Sequence, residues 1–431
     1  MSARTITLAL AALLASAAAP AFAQTVAITG GKVVIGDGSD PIEGGTVLVQ
    51  DGKVVAAGKG IAVPAGVKTI DASGKWVTPG LVVAVTDLGL FDVDAVDDSN
   101  DGDASNSPFS AALDLSAAIN PDGQHVKVSR AGGVTRAAVA PLGTGSIFGG
   151  QGAVIDLGAD PQAVTTPRAF QYVDLGEAGA RRAGGSRLAT YVTLHNALGE
   201  AKELAASPTG ARRDDVLLNR RDAQALGAVV SGKQPLYVRV ERAADIRMVL
   251  ALRTDYPALR LVIIGASEGW MVAGELARAG VPVLATPLND LPDSFEQLGA
   301  TQSNVGRMKA AGVKVSLGAF FDQPRYAPQY AGNLVALARV PGASGLSWGQ
   351  AFAAISSGPA EAIGMGDKFG SLRAGRAGDL VIWDGDPLEV TSGVVKVYID
   401  GVEQPLDNHQ TRLRDRYNTP NQGSLPKAYD W

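Results

Sequence analysis

The stretch Trp76-Val-Thr-Pro-Gly-Leu-Val-Val-Ala-Val-Thr-Asp-Leu-Gly-Leu90 decides the fold, because a Thr-Pro-Gly turn there leads directly into an apolar strand. Upstream of it, residues 25 to about 78 read as short strands. Thr46 to Gln50 alternates, Asp51-Gly-Lys53 is a hairpin turn, and Val54 to Ala57 returns. A second patch of the same kind runs from Asp379 to Glu403. Two strand-rich ends around a mixed centre predict one small discontinuous β-sandwich, residues 24–78 plus 376–405, built from both chain ends. Downstream, residues 79–375 alternate strand with helix. Ala258 to Ile264 reads as a buried strand, and Ser267 as the cap of a helix carrying Trp270, Val272, Leu276 and Ala277, stopped by Gly280. Val281 to Ala285 is the next strand, Asn304 to Ala311 a short helix ended by Gly312, and Val313 to Leu317 the strand after it. That alternation argues for parallel βαβ units. The economical architecture is a distorted (β/α)8 TIM-like barrel, whose functional residues gather at the C-terminal ends of its strands.

The first residues have the pattern of a cleavable secretory leader, residues 1–23. Arg4 is the charged start, Leu8 to Ala19 the apolar run, and Ala21-Phe-Ala23 a small-x-small cleavage site. The apolar run is too short and alanine-rich for a membrane span. Loss of Arg4 with the leader would take the formal net charge from −5 to −6. There is no cysteine, which removes disulfides, thiolate ligands and thiolate nucleophiles. An exported chain of this kind fits a periplasm, with secretion as the alternative. The mildly acidic balance gives no reason to expect nucleic acid. Length and apolar content suffice for one large barrel with a satellite domain.

The Thr78-Pro-Gly-Leu81 turn, Ile355 to Gly364 and Lys368 to Trp383 resemble motifs of the metal-dependent amidohydrolase superfamily, nearest its imidazolonepropionase-like branch. The Thr78-Pro-Gly-Leu81 turn and the strand after it resemble that family's first barrel strand. Ile355-Ser-Ser-Gly-Pro-Ala-Glu-Ala-Ile-Gly364 is similar to its late helix, and Lys368-Phe-Gly-Ser-Leu-Arg-Ala-Gly-Arg-Ala-Gly-Asp-Leu-Val-Ile-Trp383 to its return strand. Asp384 to Glu389, Val395 to Gly401 and Ile28 to Ile35 continue the match. The resemblance implies a hydrolase acting on C–N bonds other than peptide bonds, with a divalent metal held by His-x-His on the first strand, a bridging lysine or glutamate, two later histidines and a final aspartate.

Those ligands are missing here. Val85 and Asp87 stand at the His-x-His positions, and valine has no lone pair. Pro235 to Ile246 resembles the family's "VHAHxxxDI" strand, with Arg239 and Glu241 where imidazoles would be. The next strand ends Ile264-Gly265-Ala266, again without histidine. In Ser316 to Asp322, similar to an "LGTD" strand end, Phe320 falls at the aspartate position and Asp322 two residues on. The chain's three histidines, His125, His195 and His409, match none of these positions. A catalytic zinc needs about three protein ligands and an open position, and a guanidinium at Arg239 repels a dication. No cofactor is therefore expected; zinc or another divalent metal would need ligands aligned differently. The replacements Asp87, Arg239, Glu241 and Asp322 admit two readings. In one they form an internal salt-bridge set, with Arg239 neutralising Asp87 and Glu241. In the other they form a metal-free pocket, where Arg239 grips a carboxylate through its planar fork and Asp87 or Glu241 acts as general base. The first fits a pseudoenzyme that binds a small-molecule ligand or supports a partner, such as an intact amidohydrolase homologue or a second copy of itself.

Weaker signals read as structural. Arg130 to Arg136 resembles the start of a family strand. The glycine-rich Gly143 to Gly152 lacks a P-loop lysine and reads as a lid or turn over the pocket. Asp97, Ser99, Asp101 and Gly102 open like a calcium loop, but the twelfth position is Pro108, so the acidic Asp92 to Asp103 segment reads as a solvated loop with at most adventitious Ca2+. His195 lies within a long helical stretch, Ser186 to Ala206, as a packing or surface residue. The polar tail, residues 406–431, ends in Tyr429 and Trp431 and could pack across the barrel or a neighbouring subunit.

Overall fold

The computed structural model describes residues 25–418 apart from 94, 95, 142, 209, 211–213 and 322. The expected leader, Asp322 and the aromatic end of the tail lie outside the described residues. The chain opens with strands β1 (Val26–Val33), β2 (Ile42–Gln50), β3 (Lys53–Gly58), β4 (Lys68–Asp71) and β5 (Trp76–Pro79). β2 and β3 form the expected hairpin, Gln50 opposite Lys53. Asp51 and Gly52 both adopt positive φ, 50° and 75°, as a two-residue turn matched to strand twist requires.

The barrel strands follow: β6 (Leu81–Thr86), β8 (Val134–Val139), β10 (Phe148–Asp156), β11 (Val164–Asp174), β12 (Leu236–Val240), β13 (Leu261–Gly265), β14 (Val283–Ala285) and β15 (Val315–Leu317), with a two-residue pair β7 (Asp103–Ala104) and β9 (Gly143–Thr144) outside. They lie side by side in chain order, and a bridge between Ala84 and Gly318 brings the last edge back to the first. The parallel reading fails at one strand: β10 runs antiparallel to both β8 and β11. It is built from the glycine-rich run, whose second half is therefore barrel wall and not a lid. The glycines permit close approach. A Cβ on Gly152 would fall 2.1 Å from the Phe170 ring, and one on Gly149 would fall 2.9 Å from Tyr172. The space so left is filled by Phe170 stacked on Tyr237, centroids 4.0 Å apart. Val82, Ala84, Ala138, Val154 and Leu284 complete an apolar lumen.

Strands β16 (Leu380–Trp383), β17 (Val394–Ile399) and β18 (Val402–Glu403) return to the first sheet, β16 pairing antiparallel with β5. The small module is thus centred on one eight-stranded sheet drawn from both chain ends. Arg136 of β8 ties the barrel to it. Its guanidinium forks onto Asp379 (2.7 and 3.0 Å), reaches Asp400 at 2.7 Å, and lies 3.7 Å from Asp156. One cation thus faces three carboxylates. Burial first, then repulsion from Asp160 and Asp400, outweighs Arg136 and pushes Asp156 up to about 6. A raised carboxyl pKa adds stability that is fully present below the unfolded value and is lost as pH rises through the folded one. Asp156→Asn, which can still accept from the Gly158 N–H, is therefore expected to gain about 2 kcal/mol at pH 8 and almost nothing near pH 4. Urea titrations at the two pH values check this, and an equal effect at both would contradict it.

Candidate functional site

The C-terminal mouth is shaped by β11 and β12, which run in register with Tyr172 beside Tyr237 and Asp174 beside Arg239. Alternation sets Phe170, Tyr172 and Asp174 on one face of β11, and Tyr237, Arg239 and then Glu241 on the matching face of β12. The aromatic members sit in the lumen cluster, so Asp174, Arg239 and Glu241 stand above an apolar floor. Glu241 is buried, and its Oε2 accepts hydrogen bonds from the Ser267 N–H (3.0 Å) and Oγ–H (2.8 Å). The expected Ser267 helix cap is therefore not formed; its hydroxyl serves Glu241, and the chain passes through a 3-10 turn, Gly269–Val272, into helix Ala273–Ala279. Burial raises the Glu241 pKa against the opposing pull of Ser267 and Arg239.

Arg239 is the half-exposed centre of the group. Its Nε lies 3.9 Å from Glu241 Oε1 and its Nη1 4.0 Å from Asp174 Oδ2. These are ion-pair separations, longer than hydrogen bonds. Burial works to lower its pKa, but Tyr172, Asp174, Glu241 and Glu296 raise it on balance. Around it, Arg182 Nη1 reaches Asp174 Oδ2 at 3.5 Å. Glu296 accepts from the Glu177 N–H (2.6 Å) and Arg187 Nη2 (2.9 Å). Burial holds Glu296 above its usual range as well.

Of the four expected site residues, Arg239 and Glu241 come together. Asp87 is buried just beyond β6, and Arg239 is set against both Glu241 and Asp174, so Asp174 joins the expected residues at the mouth. Asp174, Tyr172, Arg182, Arg187 and Glu296 were not anticipated. Asp174 had a signal, as the polar end of the apolar strand closing at Val173. Arg187 and Glu296 come from a helix start and a loop turn, which carry none.

The backbone of the mouth is strained. Four non-glycine residues at or just beyond strand ends have positive φ: Val85 (67°), Ala266 (53°), Leu288 (61°) and Ala319 (61°). For β-branched Val85 this is an outlier. Val85 is the extra residue of a bulge in the β6–β8 pairing, which interrupts the alternation that would place it on one face with Asp87. Its side chain packs into the apolar lumen cluster. Such strain gathers at functional sites.

A divalent metal does not fit these residues. Val85 offers no donor, Phe320 is buried with its ring 5.7 Å from Tyr330, and the Arg239 cation occupies the mouth. Among the described residues no three His, Cys, Asp or Glu side chains converge to hold an ion.

A parallel-dominated barrel with its polar set at the strand C-termini, tied to a sheet from both chain ends, is the architecture of the amidohydrolases. The "Amidohydrolase family" model matches residues 232–403. Imidazolonepropionase from Acidiphilium cryptum (strain JF-5) is 30% identical over 385 residues, covering 81% of this chain and 89% of that protein. The chain belongs to the amidohydrolase family. Amidohydrolase tasK from Hapsidospora irregularis is 25% identical over 406 residues, 84% of this chain, and the match spans only 39% of tasK. Among solved structures, an amidohydrolase from Thermotoga maritima MSB8 superposes with a TM-score of 0.76 at 25% identity, covering 88% of this chain and 99% of that one.

Proposed function

We propose that this amidohydrolase-family protein binds a small carboxylate at the barrel mouth through Arg239 and does not carry out the family's metal-dependent hydrolysis. One observation carries the reading: the Arg239 guanidinium is half-exposed and, among the described residues, makes no hydrogen bond, although three carboxylates surround it. Its planar fork remains available to a carboxylate, which it meets bidentately. The apolar side chains that floor the mouth favour a ligand with an apolar body. Export to the periplasm through the residue 1–23 leader, and support of an intact homologue, belong to this proposal. A second reading, metal-independent hydrolysis, is favoured by the raised Glu241 pKa, since burial strengthens a carboxylate as a general base. Asp87 and Asp322 remain its further candidates.

Calorimetric titration with a panel of small mono- and dicarboxylates tests the proposal, alongside metal analysis of protein purified without added metal. Wild type is expected to bind at least one acid, with affinity falling tenfold or more in Arg239→Lys and further in Arg239→Met, roughly the weight of a charge-assisted bidentate pair. Undiminished binding in Arg239→Met, or stoichiometric tightly bound zinc, manganese or iron, overturns it. Turnover of an amide that is abolished in Glu241→Gln would establish the second reading.

A further inference from the structure

We infer that the apolar surface beside the barrel mouth is a two-fold interface with a second copy of this chain. Leu188 and Val192, on helix Arg187–Ala206, are 83% and 69% exposed, and Phe295 and Leu298, on the loop after β14, 81% and 67%. Met248 and Met271 are nearly half-exposed. Isolated exposed leucines are ordinary, but these adjoin. The Arg187–Glu296 ion pair at 2.9 Å brings the start of the helix that carries Leu188 to the turn that carries Phe295. Met271 lies against Gly299, next to Leu298, where a Cβ would come 2.4 Å from its Cε. Val192 and Met248 line one groove. Arg247–Glu275 at 2.9 Å clasps the helices that carry or follow the two methionines. Leu217, 75% exposed, extends the surface where its N–H donates to Glu200.

The area and the shape select the partner. With apolar side chains of this size offering on the order of 150–200 Å2 each when bare, these seven expose roughly 800 Å2. A typical monomer's largest apolar patch is about 300–600 Å2, whereas a stable dimer buries about 800 Å2 per partner. The same surface carries both halves of a fit. Phe295 and Leu298 stand exposed, and the groove of about 590 Å3 is large enough to receive them, offering Tyr191, Val192, His195 and Met248 as contacts with Glu200, Glu203 and Asp215 in the rest of its lining. An isologous pair inserts these two side chains of each copy into the other's groove, which a two-fold axis satisfies twice. Glu296, between Phe295 and the mouth, interacts with Arg239, so the partner would stand at the rim of the mouth.

Analytical ultracentrifugation of the full chain at tens of micromolar is expected to give twice the chain mass. In Phe295→Asp and Leu298→Asp the dimer fraction should fall to about a tenth or less, while Val390→Asp, on an exposed loop of the end module, should leave it unchanged. The natural chain has no cysteine, so mixing a Met248→Cys chain with a Phe295→Cys chain under oxidation should give a linked dimer that neither forms alone. This second measurement stands even if an aspartate variant misfolds. A monomeric wild type, a dimer that survives both aspartates, or no cross-link in the mixture overturns the interface.

Discussion

Arg136→Met is expected to destabilise the protein by about 3–5 kcal/mol at neutral pH, the cost of breaking a buried ion pair from one side. The size follows from what is left behind. Asp379 is almost wholly buried, and Arg136 supplies both arms of a fork to it as well as the contact to Asp400. Burial works against the guanidinium's charge, yet Asp379 and Asp400 hold its pKa above the usual value. Without it, three carboxylates share one joint. Burial and Asp379 already raise the Asp400 pKa, so protonation relieves the variant more than the wild type. Its deficit should therefore shrink as pH falls into the carboxylate range. Asp379→Asn in the Arg136→Met background should recover part of the loss. Urea midpoints of the three proteins at pH 7.5 and pH 5 measure this. A loss below about 1 kcal/mol would show that the β5–β16 pairing, not the ion cluster, joins barrel to sheet.

That joint marks how far the sequence could be read. The composite sheet was legible because alternation and the Asp51-Gly52 turn are local signals, and the barrel because strands such as Leu261–Gly265 and helix-ending Gly280 recur in order. Strand direction was not legible. Nothing within Phe148–Asp156 distinguishes an antiparallel wall strand from a glycine-rich loop; the reason for Gly152 is the Phe170 ring, and for Gly149 Tyr172, both on the next strand. At the mouth, Arg239 and Glu241 were found because the Pro235 to Ile246 stretch resembles the family strand that carries imidazoles at those two positions. Glu296 reaches the same place from a loop, and only tertiary structure brings it there. Arg136 was visible as a structural residue, but its partners lie 243 and 264 positions away, at Asp379 and Asp400.

The other large effect is expected at Gly265. Gly265→Ala should cost about 2–4 kcal/mol, combining a left-handed backbone for an L-residue with overpacking of a buried site. The residue sits at φ 90° at the end of β13, and a Cβ there would come 2.3 Å from Glu241 Oε1 and 2.7 Å from Oε2. Glu241 cannot yield cheaply, because its Oε2 is fixed by both Ser267 donors. The two contributions separate in a double-mutant cycle. In a Glu241→Ala background the collision disappears and only the backbone cost, about 1–2 kcal/mol, should remain. A cost unchanged by the second substitution would assign the whole effect to φ and remove Gly265 from the site. A reduced cost makes Gly265 the residue that admits the Glu241 carboxylate beneath Arg239. Gly265→Ala should then also weaken carboxylate binding, because a displaced Glu241 no longer holds the guanidinium at the mouth.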